Sequence, residues 1–348
     1  MRQPNKKIRI AIIGAGWFGC HIGYNLIKKK FKVEIFEKEK DIFQNASGNN
    51  TNRLHLGFHY PRSFQTRKMS FEGYKKFIKQ YPQLSKPLKN NIYVIAKSKL
   101  NKMRSNLYEK SMLRSNLRFS KLDIKKTDLV NVDKTFNTNE RAIDHKKAKI
   151  FFKKKLKNRI CLNKNITSIK KINNKYKIEN KIYDFVINCS YQQSFKLKNL
   201  DLTYEHCLFS LYKANKKNHK SYTIMDGPFY TLLRWNKDLF GLYSVKDSRI
   251  KTSKKFYKIN KSFKKLSKEK ERRVKEKILK GFLRFYPKFK ENFEFVRNLY
   301  SIRTIIKNKK DARICLVRNN DNFINIMSGK IDHIFYAYDE VLKCIKTY

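Results

Sequence analysis

Three glycines carry the first chemically pointed pattern in the chain. Gly14, Gly16 and Gly19 form G-x-G-x-x-G within RIAIIGAGWFGCHIG, directly after an apolar, β-branched run and directly before residues at helical spacing. A phosphate-cradling turn requires that order. Gly14 permits the tight turn, Gly16 lets backbone approach a pyrophosphate, and Gly19 lets the helix pack close to the strand. The pyrophosphate then meets free N–H groups at the positive end of a helix dipole. Glu37 closes the next strand-like run, FKVEIFEKE, eighteen residues after Gly19. A carboxylate there accepts hydrogen bonds from ribose hydroxyls and repels a 2′-phosphate, so the pattern specifies a dinucleotide and gives no purpose to a nucleic-acid backbone.

A second group of reactive residues lies in NASGNNTNRLHLGFHYPRSFQTRK, residues 45–68. This stretch is polar and without sustained period, as expected of a long loop, and long loops in compact domains are commonly functional. His55 and His59 stand four apart, beside Tyr60 and Arg62. Imidazole titrates near neutrality, so either histidine can serve as a general base; each can equally be structural, hydrogen-bonded to backbone or cofactor. Arg53 or Arg62 can fork onto a carboxylate or phosphate, or be spent in an ion pair. Farther on, MDGPFYTLLRW offers Asp226, Tyr230 and Arg234 around an Asp-Gly-Pro turn, which either points at the site or is an ordinary hairpin.

The elements that must position these groups follow from periodicity. IRIAIIGAG reads as a buried parallel strand, WFGCHIGYNLIKKK as a helix and FKVEIFEKE as a second strand, a βαβ start. A helix is expected over 70–81, a strand at NNIYVIAKS, and a helix at DHKKAKIFFKKKLKNR with Asp144 as N-cap. Short strands separated by Asn/Lys turns follow to residue 190, with alternating strands over 203–247. One charged amphipathic helix is expected over 262–286. The end reads as strand, turn, strand, a Ser-Gly-Lys turn and a final helix. Residues 100–140 show little pattern.

Composition adds one strong signal. The 348 residues carry 82 Lys and Arg against 28 Asp and Glu, a net charge of +54. Such an imbalance attracts polyanions and anionic ligands. It coexists with heavy use of Asn, Ile, Phe and Tyr, which share A/T-rich codons with Lys, and the lysines are scattered; compositional drift is therefore preferred over a dedicated nucleic-acid surface. Six cysteines, at 20, 161, 189, 207, 315 and 344, form no CxxC pair, and no histidine stands at metal-ligand spacing from them. That argues against a zinc site or a disulfide framework and for a reducing, cytoplasmic compartment. The basic, then apolar, start mimics a signal peptide but is better explained by the strand and glycines. No apolar run approaches the roughly 20 residues that span a bilayer.

Together the loop and the later segments resemble the FAD-dependent oxidoreductases of the D-amino-acid-oxidase and 2-hydroxyglutarate-dehydrogenase superfamily, in particular a bacterial subgroup often associated with surface-polysaccharide gene clusters. Ser47, Asn50, His55, Gly57 and Tyr60 match a Ser/Thr-x-x-Asn…His-x-Gly-x-x-Tyr pattern; NITSIKKI, YDFVINCSYQ and IMSGKIDHIFYAYDEVLKCI keep the family's order of segments. The resemblance implies an α/β architecture: a Rossmann-like FAD-binding domain built from 1–70, 142–200 and 313–348, and a mixed, largely antiparallel β-sheet substrate domain from 71–141 and 201–312. It implies FAD as cofactor. The implied contacts are Gly14, Ala15, Gly16, Trp17, Phe18, Gly19, Glu37, Lys38, Ser47, Asn52, Arg53, Leu54, His55 and Ile166, then Cys189, Ser190, Ser328, Gly329, Lys330 and Ile331. Cys189-Ser190 and Ser328-Gly329-Lys330 depart from the family's glycine-richer turns. The implied reaction removes a hydride from a C–H next to an amine or hydroxyl of an amino acid, a 2-hydroxy acid or a sugar-derived molecule, with His55, His59, Tyr60 and Arg303 as catalytic candidates. Arg62, Asp226 and Tyr230 are substrate-binding candidates, and an anionic substrate is expected. A tRNA-modifying flavoprotein and a non-redox flavin sugar mutase are the alternatives.

Overall fold

The computed structural model describes residues 8–216, 218–227, 229–307 and 312–347; the start of the chain and Pro228 of the expected Asp-Gly-Pro turn lie outside these. Two large sheets organise the described residues. In the first, strand Arg9–Ile13 lies between Lys32–Phe36 and Phe185–Asn188, all parallel. Ile160–Cys161 extends one edge, and the hairpin Leu316–Asn320/Phe323–Met327 extends the other. Ile10, Ala11, Ile12 and Ile13 are all buried, as expected of a central parallel strand covered on both faces. Helices Trp17–Lys28 and Ile334–Lys346 pack on this sheet around a core that includes Trp17, Phe77, Tyr81, Phe152 and Phe335.

The second sheet has nine strands. Its long hairpin-like pair, Leu202–Ala214 against Phe293–Ile306, runs antiparallel over the whole length of the shorter strand. Strands 249–253, 239–244, 230–234, 221–225, 91–96, 132–138 and 119–122 complete it. Helix Lys268–Leu283 packs its Ile278 and Phe282 onto this sheet. A small three-stranded sheet, Arg53–Leu54, Arg141–Ile143 and Ser85–Pro87, joins the loop after the first βα unit to the lead-in of the second sheet.

Several elements form as the periodicity indicates. Strand Asn91–Ala96, helix His145–Lys155 with Asp144 accepting from Lys147 N at 3.0 Å, and the closing strand–strand–helix are present. Others differ. The helix expected at 70–81 spans Phe64–Gln80, capped by Ser63. Its first turns bury Thr66, Arg67 and Ser70, so no apolar stripe announces them. Arg67 there donates to Tyr60 O at 2.9 Å, Pro61 O at 2.7 Å and Ser115 Oγ at 2.7 Å, which pins the reactive loop. The single helix expected over 262–286 is two, Phe256–Lys264 and Lys268–Leu283, because Ser267 caps the second. Residues 100–140 contain helix Ser105–Leu113 and strands Phe119–Leu122 and Val132–Thr138. The segment NITSIKKI is largely irregular; its strand begins only at Lys170.

Helix Phe64–Gln80 lies tight against the turn before the final helix. A Cβ at Gly73 would sit 1.7 Å from the Asp332 carbonyl oxygen, so only glycine allows this approach. Gly73→Ala is expected to lower the unfolding free energy by about 1–3 kcal/mol through overpacking, read as an earlier midpoint in a urea titration with the helical circular-dichroism signal retained.

Candidate functional site

One cavity of about 330 Å³ runs from the glycine turn to the face of the nine-stranded sheet. At its nucleotide end Gly14 holds φ at +99°, and a Cβ on Gly19 would lie 1.9 Å from Gly14 O, so the turn and the helix close on each other. Gly16 caps helix Trp17–Lys28 without a side chain. Ser47 Oγ accepts from Trp17 N at 3.0 Å. The rest of the helix start is open toward the cavity, where an anionic group is favoured by the dipole and by backbone N–H groups. Glu37 lines the cavity at the end of strand Lys32–Phe36; Ala15 N donates to its Oε2 at 2.6 Å and Glu39 N to its Oε1 at 3.0 Å. Burial pushes its carboxyl pKa up despite those two donors. A desolvated acceptor with lone pairs to spare suits ribose hydroxyls.

The middle of the cavity is held by a buried ion pair. Arg53 Nη1 donates to Glu140 Oε2 at 2.6 Å and to Asn91 Oδ1 at 2.7 Å. Glu140 also accepts from Tyr93 Oη at 3.0 Å and from Leu56 N at 2.9 Å. His55 Nδ1 lies 3.5 Å from Glu140 Oε1, an electrostatic contact longer than a well-formed hydrogen bond. That contact favours the tautomer with hydrogen on Nδ1 and leaves Nε2 as the acceptor. Burial lowers the His55 pKa, Glu140 opposing, and lowers that of His59 well below the usual value. Burial alone would raise the Glu140 carboxyl, but His55 and Arg53 hold it below the ordinary carboxylate range. The two imidazole centroids are 5.3 Å apart, and both rings line the cavity.

The closing turn contributes Ser328, Gly329, Lys330, Ile331 and Asp332. Burial brings the Lys330 pKa down to about 8, with Asp332 opposing, and its Nζ stands 4.7 Å from the centre of the Tyr60 ring. The nine-stranded sheet contributes Phe209, Thr223, Thr231, Leu233, Tyr243, Ser301 and Arg303, and the turn after strand 239–244 contributes Val245.

Most residues singled out in the sequence reach this cavity. Gly14, Gly16, Trp17, Phe18, Glu37, Lys38, Ser47, Arg53, His55, His59, Ile166, Cys189, Ser190 and Arg303 line it, together with the closing turn. Ile166 does so from irregular backbone and not from a strand. Ala15, Gly19, Asn52, Leu54 and Tyr60 stand behind the lining. Three are turned elsewhere. Arg62 pairs with buried Asp226, and neither lines the cavity. Tyr230 donates to Asp247 Oδ2 at 2.5 Å and packs against Phe282 and Phe285 in the core under the second sheet. Sequence reasoning missed Glu140, Tyr243 and Glu205. The detectable signal was an acid inside or beside an apolar strand, as in LTYEHCLFSLY, in a chain so poor in acids.

Whether a flavin dinucleotide suits these residues is tested by their unmatched polar atoms. Arg53 Nη2, His59 Nδ1, Thr231 Oγ1 and Asp332 Oδ1 are buried atoms of lining side chains with no hydrogen-bond partner among the described residues, while Asp332 Oδ2 lies 3.5 Å from His333 Nε2. Buried polar groups are normally paired, so these await a polar guest. With the glycine turn and Glu37 at one end, the residues fit FAD. Glu37→Ala removes the buried carboxylate at the nucleotide end and is expected to weaken nucleotide retention about ten- to a hundredfold, the equivalent of about 1.5–3 kcal/mol for hydrogen bonds to a charged group. The measurement is the nucleotide absorbance that stays with the protein through gel filtration.

Comparison with known proteins agrees. Residues 9–297 match the model of the FAD dependent oxidoreductase family, DAO. FAD-dependent monooxygenase FPY4 of Fusarium mangiferae is 30 % identical over 340 residues, covering 97 % of this chain and 90 % of that protein. FAD-dependent monooxygenase kojA of Aspergillus flavus is 26 % identical over 97 % of this chain and 86 % of its own length. Among solved structures, dithionite-reduced L-α-glycerophosphate oxidase from Mycoplasma pneumoniae with FAD bound superposes with a TM-score of 0.75 at 16 % identity, over 97 % of this chain and 94 % of that one. Glycine oxidase from Bacillus cereus gives 0.72 at 14 %, over 97 % and 95 %. The fold is that of the two-domain FAD-dependent oxidases, the cofactor is FAD, and the chain belongs to the FAD dependent oxidoreductase family.

Proposed function

We propose that this FAD-dependent oxidoreductase removes a hydride from a substrate C–H adjacent to a hydroxyl or amine. The observation that carries the reading is the pair His55 and His59 in the wall between the nucleotide end and the sheet, both half-buried with their rings facing the cavity and both with pKa lowered by desolvation. FAD, when bound, supplies the two-electron acceptor. The chain's own groups do the rest. Nε2 of His55, with Glu140 behind Nδ1, takes the O–H or N–H proton as the hydride leaves the carbon. Lys330 places positive charge on the closing-turn side. The sheet wall orients the substrate and excludes water.

We also propose the division into 1–70, 142–200 and 313–348 against 71–141 and 201–312, supported by the two large sheets, whose strands fall on either side of it. Six free cysteines support a reducing, cytoplasmic setting. No helix among the described residues is long and apolar enough to cross a membrane. Arg53, Arg62 and Arg303 each face a carboxylate, whereas Lys330 on the closing turn faces the Tyr60 ring.

The names of the two fungal relatives favour a second reading, insertion of one oxygen atom from O₂ with a second reductant consumed. Anaerobic mixing separates the two. Bleaching of the flavin absorbance by an alcohol, amine, amino acid, hydroxy acid or nucleotide sugar alone supports hydride removal; bleaching only by NADH or NADPH supports oxygen insertion. His55→Asn is expected to slow substrate-driven bleaching about 10²- to 10⁴-fold. The base acts when neutral and its pKa is lowered, so the wild-type rate should stay level as pH falls through 6.5 and decline only below it. A decline centred above 6.5 would remove His55 from the role.

A further inference from the structure

Arg303 is the one cationic side chain that the nine-stranded sheet contributes to the lining among the described residues. It could fork onto a substrate carboxylate, yet its donors are already engaged. Nε donates to Glu205 Oε2 at 3.0 Å, and Nη2 donates to the same oxygen and to Val245 O at 3.2 Å. Nη1 donates to Tyr243 Oη. Four of the five guanidinium N–H groups are thus accounted for. Glu205 is directly opposite Arg303 in the register of Leu202–Ala214 with Phe293–Ile306, and it is 3 % exposed. Its Oε1 takes Arg249 Nε at 3.0 Å, an arginine that is itself largely exposed. The Arg303 side chain is 24 % exposed, but a guanidinium whose N–H groups already meet a buried carboxylate, a phenol and a carbonyl has few donors left to offer a ligand.

What remains at this wall is neutral. Tyr243 accepts from Arg303 and keeps its own O–H to donate; burial pushes its phenol pKa up, so it stays a donor. Thr231 Oγ1 is buried without a partner among the described residues. Phe209 and Leu233 supply apolar surface.

We infer that the substrate brings an uncharged group, a hydroxyl or amide on an apolar body, to this wall and no carboxylate, and that Glu205 enforces the choice by occupying the donors of Arg303. This rests on the hydride-removal reading only in assuming that the substrate meets the flavin in this cavity.

The test uses binding and not turnover. The FAD-loaded protein is titrated with phenylacetamide and with phenylacetate, isosteres differing in charge, and binding is followed by perturbation of the flavin absorbance. Wild type should bind the amide at least about tenfold more tightly than the carboxylate, and Glu205→Gln should invert that preference by freeing the guanidinium. Wild-type preference for the carboxylate overturns the inference. So do equal responses of the two proteins, including no response from either. If Glu205→Gln does not hold FAD, Glu205→Gln combined with Arg303→Gln restores electrical balance and should keep the amide preference, whereas a carboxylate preference there also overturns it. Failure of every candidate to bleach the flavin would count against hydride removal but leave these binding results unchanged.

Discussion

The buried pair of Arg53 and Glu140 is the constraint on which the rest of the site depends. Neither side chain has solvent to fall back on: their side chains are 2 % and 0 % exposed. An uncompensated charge at that depth is strongly destabilising, so each demands the other. The demand links segments far apart in sequence. Arg53 belongs to the loop after the first βα unit, Glu140 to the lead-in of strand Arg141–Ile143, and Asn91 and Tyr93 to the second sheet. Through Leu56 N and His55 Nδ1 the same carboxylate fixes the reactive loop against the cavity. Arg67 holds the next stretch of that loop by its carbonyls. The loop therefore needs no regular structure to be rigid.

Charge compensation recurs around the cavity. Arg62 answers to Asp226 and Arg303 to Glu205. A chain with 82 basic and 28 acidic residues has spent several of its few acids inside, each on an arginine at or near the cavity. The lysines are mostly outside, as on helix Lys268–Leu283 and at the end of helix His145–Lys155. The net charge thus describes the surface, while the cavity lining mixes both signs, with Glu37 and Asp332 beside Lys38, Lys164 and Lys330.

The parts of the fold that were legible in the sequence are those where local pattern and tertiary role coincide. The β-branched run 10–13, the glycines at 14, 16 and 19, the Asp144 cap and the closing helix each carry their own signal. What was illegible rests on polar burial. Helix Phe64–Gln80 starts on Thr66, Arg67 and Ser70, which look solvent-facing until their partners are known. Arg303 was visible as a candidate, but Glu205 opposite it lies 98 positions earlier, and register alone brings them together. Tyr230 looked available in a turn and instead serves the core with Asp247. Residue type at a position shows what chemistry is on offer; whether it is free depends on pairings that no local window contains.

Arg53 and Glu140 act as one unit that holds the reactive loop to the second sheet. A double-mutant cycle tests it most directly: Arg53→Met, Glu140→Gln and both together, each measured by urea unfolding of the FAD-loaded protein. Each single change is expected to cost about 3–5 kcal/mol and the double change clearly less than their sum, with a coupling of about 2 kcal/mol or more. Additive losses would contradict it, because they would mean that the two charges are stabilised independently and that the loop is held by something else.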